Sequence, residues 1–159
     1  IGCDASHPNA IERINKLKNR TNDKSLVCLV SDLNMLEQYV EKVPKAAYDV
    51  IKFSVTPTTI VYDDPIRVSE NLIAADNSLA IRIVEDDFCK KLIRKFRRPL
   101  VSTSANLSGE KTPSSFQEIS KEILEGVDYV VNLQQAKKSD KPSTIIKIKN
   151  DGTVKVIRE

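Results

Sequence analysis

Short apolar runs rich in β-branched residues alternate with amphipathic segments along the first two-thirds of the chain, and this alternation constrains the fold more than any other feature. The predicted strands cover residues 26–30, 58–62, 78–84, 99–101 and 127–133. Two further runs, 143–148 and 153–157, flank Asn150-Asp151-Gly152, which is a hairpin signal. The pattern predicts one α/β domain of the α+β kind, in which helices flank a twisted mixed sheet.

Helix-start residues and periodic apolar positions predict five helices between these strands. The helices are predicted to begin near residues 8, 33, 45, 87 and 116. The fourth helix is expected to bury the four-residue repeat Phe88, Leu92 and Phe96, and the second to bury a stripe from Leu33 to Val40. The last helix is expected to span 116–124 and to stop at Gly126.

The charge of the chain is small but unevenly placed. A formal net charge of +3 over 159 residues excludes a highly cationic tail. Basic residues nevertheless concentrate in the segments 13–24, 90–98 and 137–147. The distribution of charge is therefore compatible with a local anion-binding face.

Cysteine and histidine usage narrows the chemistry further. Cys3, Cys28 and Cys89 lack metal-ligand spacing, and their odd number argues against a disulfide framework, so we expect a reduced, cytoplasmic protein. His7 is the single histidine, which leaves zinc binding and Cys–His catalysis poorly supported. We expect neither a membrane span nor a signal peptide.

The segment 99–109, Pro-Leu-Val-Ser-Thr-Ser-Ala-Asn-Leu-Ser-Gly, reads as a short buried strand that gives way to a polar turn. Ligands of α/β proteins sit beyond the carboxyl ends of strands, and hydroxyls, an amide and small residues suit an anion there. The preceding segment 89–98 holds six positive charges. The alternative is a capped strand-to-helix turn behind a solvated basic helix.

Arg82 interrupts an otherwise apolar predicted strand. A charge on such a strand calls for a partner, which is either a bound anion or a carboxylate of the protein. The sequence has no GxxxxGK[ST] or GxGxxG motif, no serine–histidine–acid set and no evident carboxylate pair. Positive charge with hydroxyl donors suits phosphoryl or nucleotidyl transfer, which depends on positioning and charge neutralisation.

Three groups of residues carry a resemblance to a known family. The segment 99–109, Lys18-Asn19-Arg20 upstream and Lys141-Pro142-Ser143-Thr144 downstream closely resemble the YrdC-like threonylcarbamoyl-adenylate synthases, as do Gly2-Cys3-Asp4-Ala5 and Ala80-Ile81-Arg82. The resemblance covers 1–159 as one YrdC-like domain and implies a YrdC/RibB-like fold. It also implies that L-threonine, bicarbonate and ATP, with Mg²⁺, are condensed to threonylcarbamoyl-AMP and pyrophosphate for the threonylcarbamoyladenosine modification of tRNA.

The resemblance also assigns roles to individual residues. Lys18 and Arg20, the KxR element, are expected to be catalytic. The expected ATP contacts are Arg20, Lys24, Ser78, Asn106, Ser114 and Arg158. The expected L-threonine contacts are Arg82, Ser104 and Ser143, with Arg82 pairing with the carboxylate. No residue is expected to form a metal site of its own.

The sequence departs from the family pattern at three places. The family's strand ending in Pro-Thr-x-Thr should precede Gly2, so we expect it to be missing from this chain. Leu29 stands where some members have a threonine-binding histidine. The segment Val55-Thr56-Pro57-Thr58-Thr59 replaces a Pro-Gly-Pro-Leu-Thr turn.

Two other functions compete with the synthase hypothesis. The first is a non-catalytic module for double-stranded RNA or tRNA, with phosphate contacts from the basic segment 90–98. Only 5% of the residues are aromatic and no base-reading motif is evident, which argues against RNA binding as the sole role. The second is a carbamoyl-transfer domain like those of hydrogenase-maturation proteins, whose accompanying domains this sequence lacks.

Overall fold

A seven-stranded mixed sheet forms the centre of the molecule in a computed structural model, which describes residues 1–20, 26–138 and 142–159. Its strands are β1 (Gly2–Asp4), β2 (Val27–Val30), β3 (Thr58–Asp63), β4 (Ser78–Ile83), β5 (Leu100–Ser102), β6 (Thr144–Ile148) and β7 (Val154–Arg158). The helices are α1 (Pro8–Leu17), α2 (Leu33–Leu36), α3 (Lys45–Phe53), α4 (Asp87–Phe96) and α5 (Lys121–Gly126), with 3₁₀ turns at Glu70–Leu72 and Phe116–Glu118. The predicted α/β class with a mixed sheet is confirmed.

The strand order is β1-β5-β2-β4-β3-β6-β7. Strands β2 and β4 run parallel, as do β3 and β6, and the other neighbours are antiparallel. The predicted hairpin joins β6 to β7, with Gly152 at a φ of 88° in its turn. The hairpin contains a bulge, because Ile146 pairs with Val156 whereas Ile145 pairs with Arg158.

The two faces of the sheet differ in how they are covered. Cys28, Ile60 and Ile81 pair across three strands and point to the face buried under α1, α2 and α3. The residues that follow them in the strands, such as Leu29 and Arg82, point to the opposite face. We call this second face the open face, because α4 covers it only around β2 and β5. In the described part of the chain, no helix has the length and apolar character needed to span a membrane.

Helix α4 packs on the sheet through a different side from the predicted one. Ile93 is 0% exposed and packs with Leu29 and Val84, whereas Phe88, Leu92 and Phe96 are 37%, 41% and 41% exposed. The predicted stripe is therefore wrong. Residues 89 and 93 form a second apolar row beside 88, 92 and 96, and periodicity alone does not say which of the two rows faces the sheet.

Two other predicted elements in the second half of the chain also differ. The predicted helix 116–124 is broken, because Ile119 is extended and the Ser120 hydroxyl accepts a hydrogen bond from Ile123 N at the start of α5. The predicted strand 127–133 is irregular, and its apolar residues Tyr129, Val131 and Leu133 are exposed. Strands β6 and β7, from later in the chain, extend the sheet beyond β3 instead.

The orientation of α4 gives a stability prediction with a matched control. Ile93→Ala should lower the free energy of unfolding by about 2–5 kcal/mol, because it removes a fully buried side chain. Leu92→Ala, one residue away at a position that is 41% exposed, should cost clearly less, about 1 kcal/mol. Urea denaturation of both variants measures the difference, and equal losses would contradict the assigned packing face.

Candidate functional site

The predicted threonine contact Arg82 lies on the open face, at the carboxyl end of β4. Strand β3 pairs Ile60 with Ile81, so the next residues, Thr59 and Arg82, lie side by side on the other face. The Thr59 hydroxyl shares a hydrogen bond of 2.8 Å with the Ser143 hydroxyl. Arg158 in turn donates from Nε and Nη2 to the Ser143 carbonyl, at 3.2 and 2.8 Å. The fold thus brings Arg82, Ser143 and Arg158 to one end of this face.

The environment of Arg82 favours an external anion as its partner. Its side chain is half-buried, and this burial lowers the pKa of the guanidinium. Within the ranges that the structure describes, no carboxylate forms an ion pair with Arg82. The alternative hypothesis, that Arg82 pairs with a carboxylate of the protein, is therefore not supported by the described residues.

Ser78 stands at the other end of the open face, at the start of β4. Its hydroxyl donates to Asp76 Oδ1 at 2.5 Å, and Lys147 Nζ donates to Asp76 Oδ2 at 2.6 Å. The hydrogen bond from Lys147, followed by that from Ser78, lowers the pKa of Asp76. Asp63 extends the group, because its Oδ1 lies 3.9 Å from the same ammonium.

The early cationic segment meets the polar turn after β5. The buried Lys18, 3% exposed, donates from Nζ to the carbonyl oxygens of Ser104 and Asn106, both at 2.5 Å. The backbone reinforces this contact, since Ser108 N donates to the Lys18 carbonyl at 2.8 Å. Arg20 Nη1 donates to the Thr103 hydroxyl at 3.3 Å. We call this junction the Lys18 corner, and it consists of Lys18, Arg20 and residues 103–108.

The Lys18 corner carries positive charge in a poorly solvated place. Burial, with a smaller contribution from the charge of Arg20, lowers the pKa of Lys18. Burial also lowers the pKa of Arg20 itself. Two cations held close together away from water are stabilised by a bound polyanion, so the corner is chemically suited to phosphate groups.

Asn106 is used differently from the sequence-based expectation. We expected its amide N–H groups to face an anion, but Nδ2 donates to the carbonyls of Leu107 and Glu110, both at 2.9 Å. These bonds close the turn, in which Gly109 has a φ of 91°. Its Oδ1 is buried and has no hydrogen-bond partner among the described residues. Asn106 therefore offers a ligand an acceptor rather than a donor.

Two cavities of about 510 Å³ each open beside these residues. The first is lined by Leu29 and Arg82, and the second by Ser104 and Ser114. They adjoin, because Asp86, Cys89 and Lys137 line both. Each volume lies in the range of small-molecule sites.

The predicted site residues thus fall into three neighbouring groups. Ser114 itself is held by Glu118, to which its hydroxyl donates at 2.7 Å. Six of the predicted residues surround the open face or its corner but line neither cavity: Lys18, Arg20, Ser78, Asn106, Ser143 and Arg158. The predicted ATP contact Lys24 lies outside the described residues.

Sequence reasoning missed several residues that build the open face. These are Thr59, Asp63, Asp76 and Lys147 beside β4, and Lys137 between the cavities. The strand register places Thr59, Asp63 and Lys147, and side-chain hydrogen bonds place Asp76, whereas each is an ordinary polar residue in the sequence. Among the described residues, no group of three or more His, Cys, Asp or Glu side chains could hold a metal ion.

Comparison with known proteins identifies relatives along the whole chain. A Methanocaldococcus jannaschii protein, named only provisionally as a threonylcarbamoyl-AMP synthase, is 34% identical over 156 residues, covering 98% of this chain and 72% of that protein. A threonylcarbamoyl-AMP synthase of Pseudoalteromonas translucida is 32% identical over 149 residues, covering 91% of this chain and 79% of that protein.

Solved structures of P. abyssi Sua5 share the fold. A variant of that protein covers 99% of this chain with a TM-score of 0.87 and 23% identity, and a complex with L-threonine covers 92% with a TM-score of 0.80 and 22% identity. This chain spans 48% and 43% of those longer chains. The sequence model of the Sua5/YciO/YrdC family, described as "Telomere recombination", matches residues 1–159. The chain belongs to the Sua5/YciO/YrdC family.

Proposed function

We propose that this protein is a threonylcarbamoyl-AMP synthase. It condenses L-threonine, bicarbonate and ATP to threonylcarbamoyl-AMP and pyrophosphate, and the product supplies the threonylcarbamoyladenosine modification of tRNA. Relatives with this name match most of the chain. The observation that carries the proposal is the Lys18 corner, where the buried Lys18 and the half-buried Arg20 meet the polar turn after β5. That arrangement suits a triphosphate.

The reaction needs an amino acid and a nucleotide held side by side. The amine of threonine takes up bicarbonate with loss of water, and an oxygen of the resulting carbamate attacks the α-phosphorus of ATP while the bond to pyrophosphate breaks. The protein's contribution is to position both reactants and to offset their negative charge. The three half-buried or buried cations Lys18, Arg20 and Arg82 supply that charge.

Threonine is assigned to the Arg82 end of the open face. The guanidinium would pair with the carboxylate through two parallel hydrogen bonds, and Ser143 would contact the amino acid from the neighbouring strand. The Thr59 hydroxyl and the Arg158 guanidinium hold Ser143 in place. Ser104, which lines the adjoining cavity, would complete the threonine contacts.

ATP is assigned to the Lys18 corner and the cavity beside Ser114. Arg20 and Lys24 would contact the phosphates, and Ser78, Asn106 and Ser114 would contact the rest of the nucleotide. Arg158 uses Nε and Nη2 on Ser143, which leaves Nη1 as its donor for the nucleotide. The unpartnered Asn106 Oδ1 suits a hydroxyl or amino group of the nucleoside.

Mg²⁺ is proposed to enter as the magnesium complex of ATP. The described side chains provide no acidic cluster for a resident metal, and Mg²⁺ bound to nucleotides is commonly held by phosphates and water. Its role there is to neutralise phosphate charge. A tRNA-modification enzyme of this kind is expected to work in the cytoplasm.

RNA binding without catalysis is the weaker alternative. It accounts for the basic residues of α4, but not for the buried Lys18 or for the half-buried Arg20 and Arg82, which are set back from an exposed RNA-binding surface. Direct association with tRNA remains compatible with synthase activity and would weaken steeply with salt.

Pyrophosphate release tests the proposed reaction directly. The purified full-length protein should release pyrophosphate from ATP only when both L-threonine and bicarbonate are present, since the carbamate is the attacking nucleophile. A coupled pyrophosphate assay measures this, with each substrate omitted in turn. Release that does not depend on threonine would contradict the proposal, as would persistent RNA binding without any release.

Arg82→Ala should separate threonine binding from ATP binding. Loss of a charged hydrogen-bonded pair costs about 1.5–3 kcal/mol, so the KM for threonine should rise roughly 10- to 100-fold, with a much smaller change in the KM for ATP. Arg13→Ala, which removes an exposed arginine paired with Asp128, is the control and should change neither. Equal effects of Arg82→Ala on both substrates would reject the assigned role.

Lys18→Met should disrupt the corner on which ATP binding depends. The change leaves two carbonyls without their donor and should lower the free energy of unfolding by about 1–3 kcal/mol. Lys16→Met, an exposed position on the same helix, should stay within about 0.5 kcal/mol of the parent. Denaturation gives the stability, and the KM for ATP measured on folded protein gives the functional effect. A fully stable Lys18→Met variant would show that the corner does not depend on this side chain.

A further inference from the structure

Helix α4 carries an exposed apolar row, of which only Phe88 also lines the cavity assigned to ATP. Phe88, Leu92 and Phe96 recur every four residues, so they lie on one side of the helix and form a row about 12 Å long. Each is more than one-third exposed. Aligned in this way, the three side chains form an exposed apolar strip, and strips of this kind can mark sites of protein interaction.

Positive charge borders this row along its length. Lys91 and Lys95 each lie one helical row away from the apolar side chains, on the side opposite Ile93. Arg94 and Arg98 form ion pairs with Asp32 and Asp4, respectively. Among the described residues, Lys91 and Lys95 have no carboxylate partner.

The apolar surface continues beyond the helix. Phe88 lines the second cavity together with Val131 and Leu133, which are themselves exposed apolar residues of the irregular segment after α5. At the other end, the Arg98 guanidinium lies 5.9 Å from the centre of the Phe96 ring. The surface therefore combines an elongated apolar strip with a cationic border.

We propose that α4 is a docking surface for an acidic amphipathic helix of a partner protein. The apolar side of that helix covers Phe88, Leu92 and Phe96, and its carboxylates pair with Lys91 and Lys95. On the partner helix, the apolar side chains that recur every three to four residues would lie along one side and could contact the whole length of the row on α4. Docking is a separate function from the synthase reaction, although Phe88 at one end of the row also lines the cavity assigned to ATP.

Other occupants fit the surface less well. A second copy docked through α4 would bring two sets of basic residues together, which like-charge repulsion opposes. Nucleic acid would pair with the lysines, but its phosphates would leave the apolar row in water. A lipid surface calls for a broad apolar face, whereas the other apolar row of α4 is occupied by the sheet.

A labelled synthetic peptide tests the proposal on the full chain. The probe is an amphipathic helix with leucine on one side and glutamate on the other, and a scrambled peptide of the same composition is its control. Fluorescence anisotropy should detect binding of the amphipathic peptide and no binding of the scrambled one. The binding should weaken as salt is raised, because the lysine–glutamate pairs are exposed.

Variants locate the binding surface. Phe96→Ser and the double change Lys91→Glu with Lys95→Glu should each raise the Kd for the peptide at least about tenfold. Phe53→Ser, on α3 and 69% exposed, is the matched control and should leave the Kd within about twofold. Thermal unfolding and threonine-dependent pyrophosphate release verify that the variants fold. A variant that loses peptide binding but keeps its thermal stability has lost docking and not its fold.

Three results would overturn the proposal. The first is equal binding of the amphipathic and scrambled peptides, and the second is equal weakening by Phe53→Ser and Phe96→Ser. The third is binding of tRNA, anionic vesicles or a second copy of the chain that Phe96→Ser abolishes while the peptide does not bind. That last outcome would assign the surface to the corresponding partner instead.

Discussion

The ammonium of Lys18 is the interaction on which the candidate site depends. By bonding to the carbonyls of Ser104 and Asn106, it fixes the end of α1 against the turn after β5, two segments far apart in the sequence. A buried ammonium is costly unless its donors are satisfied, and backbone carbonyls satisfy them without cancelling the charge. The corner is thus held rigidly and still presents positive charge beside Arg20.

Unequal coverage of the sheet creates room for substrates. Three helices bury one face completely, but α4 lies over only part of the other, where Ile93 packs on Leu29. The uncovered part of β4 presents polar side chains at both ends, Ser78 and Arg82, with Ala80 between them. A sheet face of this kind is stable because its hydroxyls and charges bond to one another, as Thr59 does with Ser143.

The sequence allowed every strand of the sheet except β1 to be predicted, together with the closing hairpin, because β-branched runs and the Asn-Asp-Gly turn are local signals, whereas Gly2–Asp4 carries no such signal. It failed where tertiary packing decides. Local periodicity could not tell which of two apolar rows on α4 faces the sheet, nor that 127–133 stays outside the sheet. Site residues were reached through family resemblance, whereas the pairing of Asp76 with Lys147 is visible only in the folded structure.

The bulge in the β6–β7 hairpin determines which face of the sheet Arg158 points to, because side chains alternate between the two faces along a strand. One extra residue, Ile157, lies between the pairs that Val156 and Arg158 make with β6. In a regular ladder, Ile157 would occupy the position that Arg158 now holds. Arg158 would pair one position further along, and its side chain would point to the opposite face of the sheet, toward the core. A single-residue insertion or deletion in this strand therefore exchanges a guanidinium for a hydrocarbon at the wall beside Ser143. Length there is as strictly constrained as residue type.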